Sequence, residues 1–285
     1  MQFDFEPRLK ISSNKIILFD QFHGNKRPHA HTDNTAVTSS DRPYSLFADG
    51  SRKRLRENLS RWIQTVKFGT QLLRLPIKPI TKYTFITLTL SSAQRHCDKI
   101  LKRELLNHFI ITLKNNYGLK NYIWKAEVQQ NGNLHYHLLQ DTYIPHKELR
   151  TIWNGCQNKL GYVDEFARTH LHADPNSSDI HGLRKVRNVE AYVSKYMSKS
   201  ETSRPICGHT WGRSDSINKL SGFVLTRDIE LHDWYNMTVA SVPNREFRGD
   251  RFCINLFHTS PNWRTLPAHH RRSIRETVIS NLAVL

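Results

Sequence analysis

The chain has 285 residues, with 42 lysine and arginine residues against 25 aspartate and glutamate residues, and its formal net charge is +17. No apolar run approaches the roughly 18 residues of a membrane span, and the N-terminus has no apolar signal segment, so we expect a cytoplasmic protein without membrane contact. The four cysteines are far apart and form no CxxC pair, which excludes a disulfide framework and a zinc ribbon. A charge balance this basic indicates a polyanionic partner.

The positive charge is most concentrated in residues 51–82, which carry nine basic side chains and one acidic side chain. We interpret residues 51–75 as a basic helix that neutralises nucleic-acid phosphates, although a solvated helix face fits the pattern equally well. Pro76 and Pro79 end this helix, so we divide the chain into an N-terminal extension (1–80), a compact unit (81–214) and a C-terminal extension (215–285). The residues of the basic helix that we expect to contact nucleic acid are Arg52, Lys53, Arg54 and Arg56.

The compact unit has the alternating pattern of an α+β fold, whereas residues 20–50 read mostly as loop. Residues 83–90 predict a strand, with Ile86 and Leu88 on one face and Thr87 and Thr89 on the other. The segments predicted after it are a helix from about Ser92 to Gly118, strands at 122–128 and 133–139, a helix at 145–161, a polar loop, a strand at 180–186 and a final helix after Asn188.

Two histidines share one face of the second hairpin strand. His135 and His137 are two residues apart, so both imidazoles point to the same side and are close enough to share a divalent ion. His170 and His172 have the same spacing, but their surroundings lack a strand pattern, and we interpret them as part of the polar loop. Only the first pair has a carboxylate in reach on a partner strand.

The register of the hairpin decides whether that carboxylate, Glu127, joins the histidines. A two-residue turn would place Glu127 opposite Tyr136, facing away from them. A three-residue loop with Gly132 in the left-handed conformation places Glu127 opposite His135, and only this loop separates apolar from polar residues cleanly. We therefore predict a Glu127/His135/His137 ion site that suits Mg²⁺ or Mn²⁺, although zinc would also bind.

Residues 189–199 predict a helix that carries two tyrosines and two lysines on one stripe. At about 100° per residue, Tyr192, Tyr196, Lys195 and Lys199 fall within an arc of roughly 100°. Packed tyrosines with snorkelling lysines would also fit, but two phenols and two ammonium groups exceed what packing requires. Nearby cations favour the phenolate, so we expect a strengthened nucleophile beside groups that stabilise charge on a phosphate.

Three motifs now stand in chain order: the strand Phe85–Ser92, the histidine hairpin and the tyrosine helix. In this order they resemble the replication initiators of the HUH endonuclease superfamily, in particular the two-tyrosine initiators of small single-stranded-DNA phages and related plasmids. The resemblance covers about residues 83–214, including the segment 211–214. It implies a palm-like antiparallel sheet flanked by helices, with helical extensions at both ends of the chain, in the cytoplasm of a bacterial host.

The resemblance also implies a reaction. Single-stranded origin DNA would lie across the sheet, and a metal ion would polarise the scissile phosphate. One tyrosine would attack, leaving a 5′-phosphotyrosine bond and a free 3′-hydroxyl for the polymerase, and the second would cleave after one round of synthesis so that a circle closes. A host helicase would unwind the DNA, because the chain has no GxxxxGK phosphate loop.

The family's functional positions carry over to individual residues of this sequence. The residues matched to metal binding and to catalysis are Glu127, His135 and His137 for the metal, Tyr192 and Tyr196 for attack, and Lys195 and Lys199 beside them. The residues of this unit that we expect to contact DNA are Thr87, Thr89, Arg184, Lys185 and Arg187.

Other functions stay open at this point. A transposase of the same superfamily would use the same chemistry to join two different DNA ends. A non-catalytic origin-binding protein would use the histidines to hold a structural zinc. A relaxase fits less well, because relaxases usually carry the tyrosine before the histidines.

Overall fold

A computed structural model describes residues 5–12, 15–22, 49–73, 83–183, 186, 189–197 and 204–285. The chain divides into two compact units, which we describe separately. The histidine unit comprises Ala36–Leu59, Lys78–Asn218 and Leu285, and the terminal unit comprises Met1–Thr35, Ser60–Ile77 and Lys219–Val284. The predicted boundaries at residues 80 and 214 stay a prediction.

The regular elements are numbered here in chain order. The described strands are β1 (Phe5–Ser12), β2 (Lys15–Phe22), β3 (Thr84–Thr89), β4 (Tyr122–Val128), β5 (Leu134–Gln140), β6 (Ser178–Gly182), β7 (Trp211–Arg213), β8 (Val224–Thr226), β9 (Asn244–Gly249) and β10 (Phe252–Phe257). The described helices are α1 (Asp49–Leu73), α2 (Asp98–Ile100), α3 (His108–Tyr117), α4 (His146–Asn158), α5 (Tyr162–His170), α6 (Val189–Met197), α7 (Asp215–Asn218), α8 (Ile229–Ser241) and α9 (Ala268–Val284), with a π-helical segment at Leu101–Asn107 and a 3₁₀ turn at Trp263–Thr265.

Five antiparallel strands form the sheet of the histidine unit, in the order β6–β3–β5–β4–β7. The strand that carries both histidines, β5, therefore lies at the centre. Its residues Leu134, Tyr136 and Leu138 are fully buried on one face, where Trp153 of α4 packs edge-on against Tyr136 with the ring centroids 6.2 Å apart. The predicted α+β fold, with a central antiparallel sheet flanked by helices, is confirmed.

The hairpin of β4 and β5 has the predicted register. Glu127 lies opposite His135, and Lys125 lies opposite His137. Because side chains alternate along a strand, these four residues lie on the face of the sheet opposite to the apolar core. A slip of one residue would have turned Glu127 away from the histidines.

A three-residue loop sets this register. The N–H of Gln129 donates to the carbonyl of Asn133 at 2.9 Å, and the N–H of Gly132 donates to the carbonyl of Gln129 at 2.9 Å. Gly132 has a φ of +84°, a left-handed conformation that an L side chain adopts only at a cost. Glycine therefore fixes the loop, and with it the alignment of the ion site.

We expect Gly132→Ala to lower the free energy of unfolding by about 1–2 kcal/mol, the cost of placing an L residue in the left-handed region. No atom lies within 4 Å of the position that a new Cβ would take, so the cost is that of the backbone alone. Gly155 in α4 is a matched control, because its Cβ position is equally open and its φ is not positive; Gly155→Ala should stabilise by about 0.5–1 kcal/mol. Urea unfolding would measure both, and equal effects would contradict this account.

The tip of the hairpin is held by groups from outside it. The backbone N–H of Gln94 donates to the side chain of Asn133 at 2.8 Å. The Arg204 guanidinium donates to the carbonyl of Gly132 at 3.3 Å and forms two bonds of 2.8 and 2.9 Å to the buried carboxylate of Asp98. The side-chain amide of Gln94 also donates to Asp98 at 2.8 Å. The loop is thus fastened to the start of the helical layer.

Some predicted helices and strands differ from the observed ones. The helix predicted from Ser92 begins at Asp98, because the preceding residues run along the hairpin tip instead. The polar loop predicted after Gly161 is wrong for residues 162–170, which form α5; only Tyr162 and Val163 of this helix are buried, so it lacks a repeating apolar pattern. The strand predicted at 180–186 is observed at Ser178–Gly182. The proposed helix cap Asn188 lies outside the described residues.

The terminal unit contains a second antiparallel sheet, in the order β8–β1–β2–β10–β9. Helices α8 and α9 agree with the predicted helical extension, but the sheet was not predicted. Pro7 in β1 argued against a strand by pattern; it lies where β1 pairs with β2 and beyond the residues that pair with β8. The core of this unit includes an edge-to-face contact of Phe68 with Trp263, with the ring centroids 5.6 Å apart. No helix in the described part of the chain is long and apolar enough to cross a membrane.

Candidate active site

Strands β3, β4 and β5 and helix α6 bring most of the predicted site residues together on one face of the histidine unit's sheet. The rings of His135 and His137 lie edge to face, with the centroids 4.6 Å apart. On the neighbouring strand β3, Thr87 pairs with His137 and Thr89 with His135. The site is therefore built on three adjacent strands, which fix its side chains more firmly than loops would.

His137 is held from three sides. Its Nε2 lies 3.1 Å from Oε2 of Glu127, and its Nδ1 lies 3.4 Å from the hydroxyl of Thr87. The ring of Phe85 stacks on it with an interplanar angle of 16° and the centroids 5.4 Å apart. The side chain is only 8% exposed, so its orientation is determined by the packing around it. Sequence reasoning gave Phe85 no role, since stacking across two strands has no local signal.

His135 is kept neutral by its surroundings. Burial lowers the pKa of the imidazole to about 4, and the neighbouring His137 adds to this effect, whereas the charge of Glu127 opposes it. The Nδ1 of His135 lies 3.2 Å from the hydroxyl of Thr89. At neutral pH the ring therefore has a free lone pair, which is the form that binds a metal.

Thr87 and Thr89 thus contact the two histidines directly, and their predicted contact with DNA stays a prediction. We expect Thr89→Val, which removes the hydroxyl and keeps the shape, to weaken Mn²⁺ binding about tenfold or more, since groups that orient a ligand contribute at this scale. Thr84→Val on the same strand is the control, because its hydroxyl donates to the carbonyl of Thr142 at 2.9 Å and not to a histidine. Calorimetric titration would compare the variants; equal affinities would contradict a role in orienting His135.

The donor set fits a divalent ion. Two imidazoles and one carboxylate are a combination found at transition-metal sites, and Mn²⁺ accepts both ligand types. As the side chains lie, the three ligand atoms are not all within 4.8 Å of one another. Binding would require a rotation of the His135 or Glu127 side chain. Glu127, with its side chain 25% exposed, is open enough for that movement.

Lys125 is a further cation on this face. It lies opposite His137 in the sheet, two residues before Glu127 on the same strand, and it is fully buried. Burial of an ammonium group is costly, so such a position normally serves an interaction with other charged or polar groups. The register prediction placed Lys125 here without giving it a function.

Both tyrosines of α6 face the histidine site. The rings of Tyr192 and Tyr196 lie with their centroids 5.2 Å apart, and Tyr196 lies 6.1 Å from His137 by the same measure. Both also contact Phe85, at 6.2 Å for Tyr192 and 5.5 Å for Tyr196. On the other side of the helix Val193 and Met197 are fully buried, as the helical wheel predicts, so the core fixes which way the phenols point.

The protonation of Tyr192 differs from the sequence-based expectation. Burial raises the pKa of its phenol, and a hydrogen bond with Tyr196 and the charges of Tyr196 and Asp179 raise it further. The sequence predicts that neighbouring lysines lower this pKa, but Lys195 is exposed on the helix. The phenol is therefore protonated at neutral pH, and its proton leaves as attack proceeds.

The remaining predicted site residues lie elsewhere or outside the described chain. In α1, Lys53, Arg54 and Arg56 are exposed, whereas Arg52 is half-buried and pairs with Asp49 at 3.1 Å. Their contact with nucleic acid stays a prediction. The predicted residues that lie outside the described part of the chain are Arg184, Lys185, Arg187 and Lys199.

Comparison with known proteins points to DNA replication. A family model described as Replication-associated protein ORF2 matches residues 83–201. The match covers less than half of the chain, from β3 through α6, and so includes the histidine hairpin and both tyrosines. The chain is similar to this family of replication-associated proteins over its histidine unit. No curated protein and no solved structure matches the chain.

Proposed function

We propose that this protein initiates rolling-circle replication by nicking and rejoining single-stranded DNA through a tyrosine nucleophile, as HUH initiators of the two-tyrosine type do. One observation carries the proposal: two phenols and two histidines with a carboxylate partner lie on one face of the sheet, with Tyr196 6.1 Å from His137 between ring centroids. The similarity of residues 83–201 to replication-associated proteins supports the same function. The work would take place in the cytoplasm of a bacterial host, on origin DNA.

In this proposal, Glu127, His135 and His137 would hold Mg²⁺ or Mn²⁺ and contact the scissile phosphate through it. When bound, the ion would polarise the phosphate and offset the charge that builds up in the transition state. Lys125 adds a fixed positive charge on the same face, which favours the same transition state. Phe85 keeps His137 and both phenols in a fixed relation, so little reorganisation precedes the chemical step.

The covalent step conserves the number of phosphate bonds. The phenolic oxygen of one tyrosine attacks phosphorus, an O–P bond forms, and the bond to the 3′ oxygen breaks. The phenolic proton passes to solvent, and the departing oxygen takes up a proton to become a 3′-hydroxyl. A host polymerase would extend that hydroxyl, and a host helicase would open the duplex.

The second tyrosine gives the chain a way to finish the cycle. After synthesis it would attack the regenerated origin, and the new 3′-hydroxyl would then attack the first phosphotyrosine and release it. Lys195, and Lys199 beyond the described end of α6, would stabilise the phosphate during these exchanges. Because the two rings are only 5.2 Å apart, one bound metal would serve both attacks.

The test is a search for a covalent adduct. Single-stranded fragments that tile the encoding replicon would be incubated with Mg²⁺ or Mn²⁺ and the wild-type protein, Tyr192→Phe, Tyr196→Phe or the double variant, then denatured. We expect a metal-dependent adduct that the double variant cannot form, and loss in one single variant would identify the first nucleophile. Tight binding without any adduct would replace this proposal with a non-catalytic origin-binding protein. Joining of two different DNA ends, instead of closure of one circle, would indicate a transposase.

A further inference from the structure

A second cluster of metal-binding side chains lies in the terminal unit, apart in sequence from every residue of the proposed active site. Asp228 lies directly before α8, and His269 and His270 lie in the first turn of α9. The Nε2 atoms of His269 and His270 lie 2.7 and 2.8 Å from the same oxygen of Asp228, Oδ2. One ligand atom from each residue lies within 4.8 Å of those of the other two.

The carboxylate of Asp228 is already oriented for this role. Its other oxygen, Oδ1, accepts a hydrogen bond from the N–H of Leu231 at 2.8 Å and so caps α8. This bond holds the side chain in one rotamer and leaves Oδ2 directed at the two imidazoles. His270 is also fixed, because its side chain is only 7% exposed.

His269 has the arrangement of a metal-ligating histidine. While its Nε2 faces Asp228, its Nδ1 lies 3.7 Å from a carboxylate oxygen of Glu230. A carboxylate behind the second ring nitrogen fixes the tautomer and raises the basicity of the first, and this arrangement recurs at zinc sites. The rings of His269 and His270 lie together, with the centroids 3.9 Å apart, so both Nε2 atoms point to a single place.

A shared proton acceptor explains this geometry less well than a shared ion. Without an ion, both imidazoles have to donate an Nε2–H to one oxygen, which places two ring dipoles side by side. A cation at that place takes one lone pair from each imidazole and one from Asp228. Two nitrogens and one oxygen suit Zn²⁺, whereas Mg²⁺ and Ca²⁺ prefer oxygen ligands.

We propose that Asp228, His269 and His270 form a Zn²⁺ site that joins the start of α8 to the start of α9, with water as a fourth ligand. Asp228 and His269 are about half exposed, so the ion exchanges with solvent and the water position is open. The site serves the packing of the terminal unit and not DNA cleavage, and it does not depend on the proposed nuclease function.

The experiment uses the full chain with His135→Ala and His137→Ala, which removes the other histidine site. After dialysis against Zn²⁺ we expect one bound ion per chain by elemental analysis, and with Co²⁺ we expect the visible absorption bands of a bound ion with nitrogen ligands. Adding His269→Ala or Asp228→Asn should weaken binding at least about tenfold. Asp228→Asn is informative because its amide oxygen still accepts the capping hydrogen bond from Leu231.

His232→Ala is the matched control, since this histidine lies on α8 and its Nε2 contacts the side chain of Asn236, not the cluster. It should leave Zn²⁺ binding unchanged. Circular dichroism without metal would show that the variants are folded, and the exposed position of His269 makes its replacement tolerable. Binding that survives both His269→Ala and Asp228→Asn, or a chain that binds no Zn²⁺ in the starting background, would overturn the proposal.

Discussion

Replacing His137 with alanine is expected to lower the rate of metal-dependent DNA cleavage by about 10³-fold or more, while DNA binding persists. A metal ion contributes several kcal/mol of transition-state stabilisation, and each 1.36 kcal/mol corresponds to a factor of ten in rate. His137 is the best-held ligand candidate, because it contacts Glu127, Thr87 and Phe85 at once. Single-turnover cleavage of a labelled origin strand, with a filter-binding assay in parallel, would separate catalysis from binding.

The chain supplies a matched control for this experiment. His170 and His172 repeat the spacing of the two site histidines, but His170 ends α5, where its Nδ1 contacts the carbonyl of Phe166 at 3.1 Å and its ring stacks on Phe166. The double variant His170→Ala/His172→Ala should cleave within about twofold of the wild-type rate, since it removes no group of the site. Wild-type cleavage by His137→Ala would show that the hairpin does not hold the catalytic metal.

The second large effect concerns the stability of the histidine unit. We expect Arg204→Met to lower its free energy of unfolding by about 3 kcal/mol, the lower end of the cost of leaving a buried charge without its partner. The side chain of Asp98 is 4% exposed and that of Arg204 is 34% exposed, and Asp98 keeps hydrogen bonds from Gln94 and the N–H of Cys207. Urea unfolding at pH 7 would measure the loss. Arg103→Met, at an exposed ion pair with Glu104, should cost less than about 1 kcal/mol.

The same variant has a signature in its pH dependence. Burial alone would raise the pKa of the Asp98 carboxyl, but hydrogen bonds from Arg204, Cys207 and Gln94 and the charge of Arg204 lower it below its ordinary value of 3.8. The unfolded chain therefore binds the proton first, so this contribution to stability is present above about pH 4 and is lost as the pH falls through the lower folded-state pKa. In Arg204→Met, burial prevails and the pKa rises. The difference in stability between the two proteins should thus shrink at acid pH, and a constant difference would contradict the pairing.

The parts of the site that could be predicted from the sequence depend on short-range rules. The placement of Glu127 opposite His135 follows from the two-residue period of a strand and from a glycine able to adopt a positive φ. The direction of Tyr192 and Tyr196 follows from the helical period and from Val193 and Met197, which the core buries. Each of these inferences requires knowledge of about ten neighbouring residues and nothing more.

The parts that could not be predicted depend on contacts between distant segments. The stack of Phe85 on His137 and the raised pKa of Tyr192 arise only once strands and helix are packed together. The ion pair of Asp98 with Arg204 joins residues 106 positions apart. The cluster around Asp228 could not be predicted because neighbouring histidines such as His269 and His270 carry no strand or helix signature of metal binding.

The strand order of the terminal unit also bears on how the protein is made. Strand β2 lies between β1 and β10, and its pairing with β10 joins residue 19 to residue 252. At a synthesis rate of roughly 5–20 residues per second, the first hairpin waits on the order of 10–50 s for its partner to leave the ribosome. The sheet that carries the histidines needs only residues 84–213 and is available well before then. A newly made chain would therefore complete its histidine sheet first, while the edge of β2 still lacks its neighbour and is open to pairing with another chain.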